Sequence, residues 1–225
     1  MTPNLRDVGG MPVPGGRAVA PGRVLRSAVP DAADIGPRGI VWPPALVIDL
    51  RSVAESEAVH PLSQAGARVL NLPLLSALRP GAEPVQTLHA LYLLMLDQAA
   101  DYFVDIVREV GSEPGATLIH CAAGKDRTGV SIALLLRLVG VEREHVVADY
   151  LRTAEAERAI TARLERAAGR HHRSTLPASF FDVSPEAITG VLDVWDGHDG
   201  GVRGWFLGIG GSEHHVDQLR RTLVA

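Results

Sequence analysis

The stretch Thr117-Leu118-Ile119-His120-Cys121-Ala122-Ala123-Gly124-Lys125-Asp126-Arg127-Thr128-Gly129-Val130 concentrates the residues that could do chemistry. An apolar run leads into a loop, and the loop opens an apolar segment of helical character. A loop at a helix N-terminus turns several backbone N–H groups inward, and with the helix dipole they form a cradle for a phosphate-sized anion. Ala122, Ala123, Gly124, Lys125, Thr128 and Gly129 would line that cradle. A cysteine at its base has its thiolate favoured by the same field, and the thiolate is the nucleophilic form. Cys121 is therefore the candidate nucleophile. The planar fork of Arg127 can hold two phosphate oxygens at once, which a lysine cannot. Gly124 is expected to let the backbone approach the ligand, and Gly129 to allow tight packing where the helix starts. Thr128 is expected to donate its hydroxyl to the thiolate, and His120 to lock the loop by side-chain hydrogen bonds. A lone cysteine is ordinarily a buried structural thiol; the ten residues from His120 to Gly129 outweigh that reading.

Such a loop needs a rigid frame. Short apolar runs at 45–50, 68–72 and 116–120 read as buried strands, and 23–26 as a further short strand. Between them, 84–110 carries apolar residues at helical spacing over two or more helices. Residues 128–139 are apolar nearly all round and stop at Gly140, which predicts a buried helix with a glycine end. Residues 142–168 read as a longer amphipathic stretch. Ser184-Pro185-Glu186 is a helix start, with Ser as cap and Pro in the first turn. Gly208–Gly211 reads as a turn. Strands alternating with helices predict an α/β fold: a central twisted, mostly parallel sheet flanked by helices. The 225 residues suit a single domain over 1–225, with the helical segments 84–110 and 142–183 serving as lid or insertion.

Composition narrows the function classes. Hydrophobic residues make up 46% and charged residues 21%, so disorder is not the default. A net charge of −4 gives no whole-chain argument for nucleic acid. One cysteine rules out an intrachain disulfide and a Cys-rich zinc site, and fits a reducing compartment. The first residues lack a signal-peptide apolar stretch, and no apolar run reaches the roughly 20 residues a membrane helix needs. The expectation is a cytoplasmic protein without an integral membrane segment. Gly124-Lys125 is not a Walker loop, because Ile119 and Asp126 stand where that motif needs Gly and Ser/Thr. His171-His172 and His214-His215 lack supporting ligands and read as surface, so neither metal nor cofactor is expected. Residues 158–173 hold five arginines and one glutamate, either an anion-steering face or a solvated helix.

The ten residues from His120 to Gly129 resemble the active-site signature of the protein tyrosine phosphatase superfamily. Their Ala-Gly-Lys-Asp-Arg-Thr-Gly ending is similar to that of an atypical bacterial branch with tyrosine, dual or phosphoinositide specificity. Asn4-Leu5-Arg6-Asp7-Val8-Gly9-Gly10, Gly22-Arg23-Val24-Leu25-Arg26-Ser27, Val47-Ile48-Asp49-Leu50-Arg51-Ser52 with Glu55, Ala148-Asp149-Tyr150-Leu151 and Gly200-Gly201-Val202-Arg203-Gly204-Trp205 extend the likeness over most of the chain. The resemblance implies phosphomonoester hydrolysis through a phosphocysteine, on a phosphorylated protein or another anionic phosphate ester. Lys125, a second cation in the loop, goes in that branch with phosphoinositide acceptance, alongside phosphotyrosine and phosphoserine.

Such chemistry needs a general acid for the leaving oxygen. Many relatives carry it as an Asp on a separate loop before the cysteine. Here 73–82 contains no carboxylate, and the first to follow is Glu83. Asp126 becomes the leading candidate, with a purely bracing role as its alternative; Asp49 is the reserve, with bracing through Arg51 or Arg6 as its alternative. Asp7 and Arg6 read as scaffold. Rival functions are a small-metabolite phosphatase of the same chemistry, a phospho-ligand-binding pseudophosphatase and a sulfurtransferase. The joint presence of Cys121, Arg127 and Thr128 argues against the pseudophosphatase.

Overall fold

The computed structural model describes residues 1–74, 85–168 and 182–225. The expected carboxylate at Glu83, the pair His171-His172 and parts of the 84–110 and 142–183 segments lie outside them.

Among the described residues seven strands form: β1 (Arg6–Asp7), β2 (Pro12–Val13), β3 (Arg17–Ala18), β4 (Val24–Ser27), β5 (Leu46–Asp49), β6 (Arg68–Asn71) and β7 (Thr117–His120). Five build the central sheet in the order β1-β4-β7-β5-β6; β2 and β3 pair separately. β1 runs antiparallel to β4, and the other three pairings are parallel. Every residue of β4, β5 and β7 is buried, as expected of strands covered on both faces.

Alternation along the strands sorts their side chains between two cores. Val24, Leu46, Ile48 and Ile119 join a large cluster with the helices. Leu25, Val47 and Leu118 join a small one with Leu62 and Ala67, closed by Leu5, Ile40 and Trp42 from irregular segments. The helices are α1 (Leu88–Gln98), α2 (Ala100–Ser112), α3 (Asp126–Val139), α4 (Arg143–Leu151), α5 (Glu157–Ala168), α6 (Pro185–Asp196), α7 (Gly201–Gly208) and α8 (Glu213–Leu223).

α3 is the hub. All its residues but Asp126 and Arg137 are buried, which explains its apolar sequence. It ends where Gly140 takes φ 99° and donates its N–H to Leu136 and Arg137, a conformation glycine adopts without steric cost. Ser184 caps α6 by accepting from the Ala187 amide, as its sequence predicts. The turn after α7 leads directly into α8, capped by Ser212.

The amphipathic stretch 142–168 is divided: a 3-10 segment, Arg152–Ala156, separates α4 from α5. Its tighter winding redirects the chain. α4 keeps Val146 and Tyr150 in the core, while α5 turns toward the loop after β7. Arg163 ties α5 down through a two-pronged bond to Asp34, at 2.9 and 3.0 Å. That arginine of the 158–173 run is thus structural.

Candidate active site

Cys121 follows the last residue of β7, the middle strand of the sheet, and α3 begins at Asp126. The loop therefore lies at the carboxyl ends of parallel strands, where open α/β sheets bind ligands. Its carbonyls are spoken for. Cys121 O contacts His120 Nδ1 at 3.3 Å, and Ala122 O accepts from the Val29 amide at 3.1 Å. Ala123 O and Gly124 O accept from Asn4 Nδ2 at 3.4 and 2.9 Å, and Gly124 O also accepts from Arg26 Nη2 at 2.8 Å. In a trans peptide the C=O and the next N–H point opposite ways. Four carbonyls held outward thus aim the amides of Ala122, Ala123, Gly124 and Lys125 into the loop.

The braces explain the N-terminal motif. Asn4 adopts φ 58°, a left-handed conformation that asparagine tolerates better than most residues. Asp149 of α4 bonds Arg6 at 2.7 Å and Arg26 at 2.5 Å, with all three side chains nearly buried. Arg6 also bonds the Asn4 side chain. Asp7 accepts from the Gly9 and Gly22 amides. Arg6 and Asp7 are scaffold, as their sequence context suggests.

The glycines divide differently. Gly124 has φ 66°, and a Cβ there would overlap the Ser27 carbonyl. Packing against β4 thus requires a glycine here, whatever approach to a ligand it also allows. Gly129 sits under the Tyr150 ring, which a Cβ would meet at 2.9 Å. The Thr128 hydroxyl is buried and makes no hydrogen bond among the described residues; the expected bond to Cys121 is not formed.

Arg127 can be counted proton by proton. Nη1 and Nη2 donate to the two oxygens of Glu55 at 2.8 and 2.7 Å, and Nη1 reaches Leu50 O at 3.2 Å. Of the five N–H bonds a guanidinium carries, the Nε–H and the second Nη2–H remain without a described protein partner. They share one edge, a fork suited to two anionic oxygens. Glu55 ends a 3-10 turn whose start it also caps, through Ser52. Arg127 holds the Glu55 carboxyl down at about 2, against the opposing pull of burial. This clamp is absent from the sequence reading; the Ser52-x-x-Glu55 capping box is its only local sign. Glu55→Gln should lower kcat/KM about tenfold, since losing a charge-assisted bond costs roughly 1.5–3 kcal/mol and the partial exposure of Glu55 favours the low end. Steady-state kinetics checks this, and unchanged kcat/KM would remove Glu55 from the site.

Asp126 lines the same cavity as Cys121 and Arg127, a space of about 230 Å³. The Tyr92 hydroxyl donates to its Oδ1 at 2.7 Å and meets the Tyr150 hydroxyl at 2.8 Å. Lys125 Nζ lies 3.6 Å from the same oxygen and donates to Asp182 O at 2.9 Å. Burial pushes the Asp126 carboxyl pKa up, although Lys125, Tyr92 and Arg127 oppose it. Tyr92 was not singled out in the sequence. Glu157, Ile160, Thr161 and Leu164 of α5 form the opposite wall, joined by Val183.

Asp49 does not line this cavity; it faces a neighbouring cleft. Arg51 holds it with its Nε, Nη2 and backbone N–H at 2.9–3.2 Å. Asp49, His60 and His120 bring potential ligand atoms within 4.8 Å of one another, the one such trio among the described residues. They fit a cation poorly, because Arg51 occupies Asp49 and His60 Nδ1 already accepts the Leu62 amide. His214 and His215 lie on α8, outside any such group among the described residues.

The sequence matches the tyrosine phosphatase family over residues 1–225. A Cupriavidus necator protein provisionally named a tyrosine-protein phosphatase is 28% identical, over 99% of this chain and 83% of its own length. The triple specificity protein phosphatase PtpB of Mycobacterium tuberculosis is 27% identical over 57% of this chain and 56% of its own. A Nostoc commune tyrosine-protein phosphatase is 30% identical over 59% of this chain and 47% of its own. Among solved structures, P. aeruginosa TpbA aligns over 65% of this chain and 86% of its own, at 18% identity and a TM-score of 0.33. With the match running from end to end, the chain belongs to the tyrosine phosphatase family and is a phosphoric monoester hydrolase.

Proposed function

We propose that the chain hydrolyses phosphomonoesters through a phosphocysteine, with Cys121 as nucleophile, Arg127 as phosphate clamp and Asp126 as general acid. The observation that carries this reading is the meeting of all three in one cavity. In the first step the Cys121 Sγ–P bond forms as the P–O ester bond breaks, and the Asp126 proton passes to the departing oxygen. The amides of residues 122–125 and the free edge of Arg127 offset the charge on the equatorial oxygens. In the second step water attacks phosphorus, the S–P bond breaks, Asp126 takes up a proton from the water, and inorganic phosphate leaves. Asp49, tied to Arg51, serves as a brace.

Phosphotyrosine is the substrate class proposed first. Its ring suits a cavity with Ile160, Leu164 and Val183 on one wall. Phosphoserine and phosphoinositides follow, a breadth in keeping with the name of the mycobacterial relative. One phosphatase domain over 1–225, with α5 as part of a lid, acting in the cytoplasm, completes the proposal. No helix among the described residues is long and apolar enough to cross a membrane.

The test is phosphate release from a phosphotyrosine peptide, a phosphoserine peptide and a phosphoinositide, without added metal. Turnover is expected on the phosphotyrosine peptide at the highest kcat/KM. Release from none of the three, with release from a sugar or nucleotide phosphate, would replace this reading by a metabolite phosphatase.

A further inference from the structure

His60, outside every motif that the resemblance covers, ends a chain of hydrogen bonds that reaches the nucleophile. The Leu62 N–H donates to His60 Nδ1 at 3.1 Å. His60 Nε2 lies 3.0 Å from His120 Nε2. His120 Nδ1 lies 3.3 Å from the Cys121 carbonyl oxygen. Both rings are buried, His120 completely.

The protons in this chain follow from its two ends. A backbone amide only donates, so His60 Nδ1 must be the lone-pair nitrogen and its Nε2 must carry the hydrogen. His60 Nε2–H then donates to His120 Nε2, which places the His120 hydrogen on Nδ1. That hydrogen faces the Cys121 carbonyl, which only accepts. Every link has one donor and one acceptor, and both rings are neutral. Burial favours neutrality, lowering the pKa of both rings and that of His120 to about 4. Among the described residues the charged groups acting on the pair are Asp49, Arg51 and Glu57. Asp49 and Glu57 both bond Arg51, and the negative charge that remains pulls toward the charged ring but does not overcome burial.

We propose that His60 is a positioning residue for the phosphate loop: by donating to His120 Nε2 it fixes the His120 tautomer, and so holds His120 Nδ1–H on the carbonyl of the nucleophile. That carbonyl shares its peptide plane with the Ala122 amide, the first of the cradle. Without the His60 donor, the His120 hydrogen can move to Nε2, toward Asp49 Oδ1 at 3.8 Å. The Nδ1 lone pair would then face the carbonyl oxygen, and the peptide plane would turn away.

The inference rests on Cys121 being the nucleophile, so its test includes readouts that need no turnover. Heteronuclear NMR of the wild-type protein should find the hydrogen on Nε2 of His60 and on Nδ1 of His120. His60→Leu, nearly the same size, removes the donor; His60→Gln keeps an N–H near the place of Nε2. In His60→Leu, alkylation of Cys121 by iodoacetamide at pH 6 and kcat should both fall roughly 10- to 100-fold, the effect of leaving one buried group unpaired. KM should stay within about threefold, because Arg127 keeps its Glu55 clamp. His60→Gln should recover both rates to within about fivefold. The opposite tautomers in the wild type would overturn the proposal, whether or not the variants fold. So would wild-type alkylation in His60→Leu, or equal losses in the Leu and Gln variants. If the wild type released no phosphate, the phosphatase reading would fall while the tautomers and alkylation rates still decided the role of His60.

Discussion

Cys121→Ser should abolish phosphate release, lowering kcat by at least about 10⁴-fold, on the scale seen when a covalent nucleophile is removed. Serine offers an alcohol where the reaction needs an anion, and among the described residues no imidazole of the site is free to ionise it. His120, the nearest imidazole in sequence, points its Nδ1 at the Cys121 carbonyl and its Nε2 at His60. Asp126 is committed to Tyr92 and, in the proposed mechanism, holds a proton at the start of the reaction. The cradle does not depend on sulfur. Its carbonyls are held by Asn4, Arg26, Val29 and His120, and Arg127 by Glu55. Inorganic phosphate should therefore bind Cys121→Ser with an affinity within about tenfold of wild type, measured by calorimetry. Residual turnover above about 1% of wild type would rule out the cysteine mechanism. Loss of phosphate binding together with turnover would show a collapsed loop instead of a missing nucleophile.

What the sequence made legible was local. The run from Thr117 to Val130 is strand, loop and helix within one short span, so its residue types report directly on its geometry. α3 announced itself because a helix buried on nearly all sides has no polar face to obscure it. β4, β5 and β7 were legible for the same reason, being buried along their whole length, whereas β6 is exposed at both ends and β1 to β3 were not read. The clamp on Arg127 was not, since Glu55 is 72 positions away and no periodicity links the two. Nor was the bracing of Gly124 by Asn4, across 120 positions. At Gly124 the φ 66° and the closeness to Ser27 come from the turn and from β4, which the motif alone does not place. The break at Arg152–Ala156 contains neither glycine nor proline, so nothing in the composition marked it. Tyr92 and His60 were silent because a single tyrosine or histidine, of intermediate burial preference, carries no spacing that sets it apart from a packing residue. Only the partners of each, Asp126 and His120, give it a place in the site.

Asp126→Asn distinguishes an acid from a brace. Asparagine keeps an oxygen to accept from Tyr92 and nearly the same shape, but has no proton to give up at this pH range. If Asp126 protonates the departing oxygen, kcat should fall about 10²–10⁴-fold on phosphoserine and phosphoinositide, whose alkoxide leaving groups need the proton most. The loss should be much smaller on an activated aryl phosphate, whose phenolate leaves unaided. The pH profile should change with it. Burial raises the folded pKa of Asp126 above the ordinary carboxylate value, so the acid form is present below that raised pKa and disappears as pH climbs through it. The wild-type kcat should therefore decline on the alkaline side, and Asp126→Asn should flatten that limb. Tyr92→Phe gives an independent check of sign. The Tyr92 bond stabilises the carboxylate, so removing it should move the same limb to higher pH. An Asp126→Asn loss that is equal for every leaving group, with the alkaline limb unchanged, would return Asp126 to a bracing role beside Lys125 and leave the proton to another group.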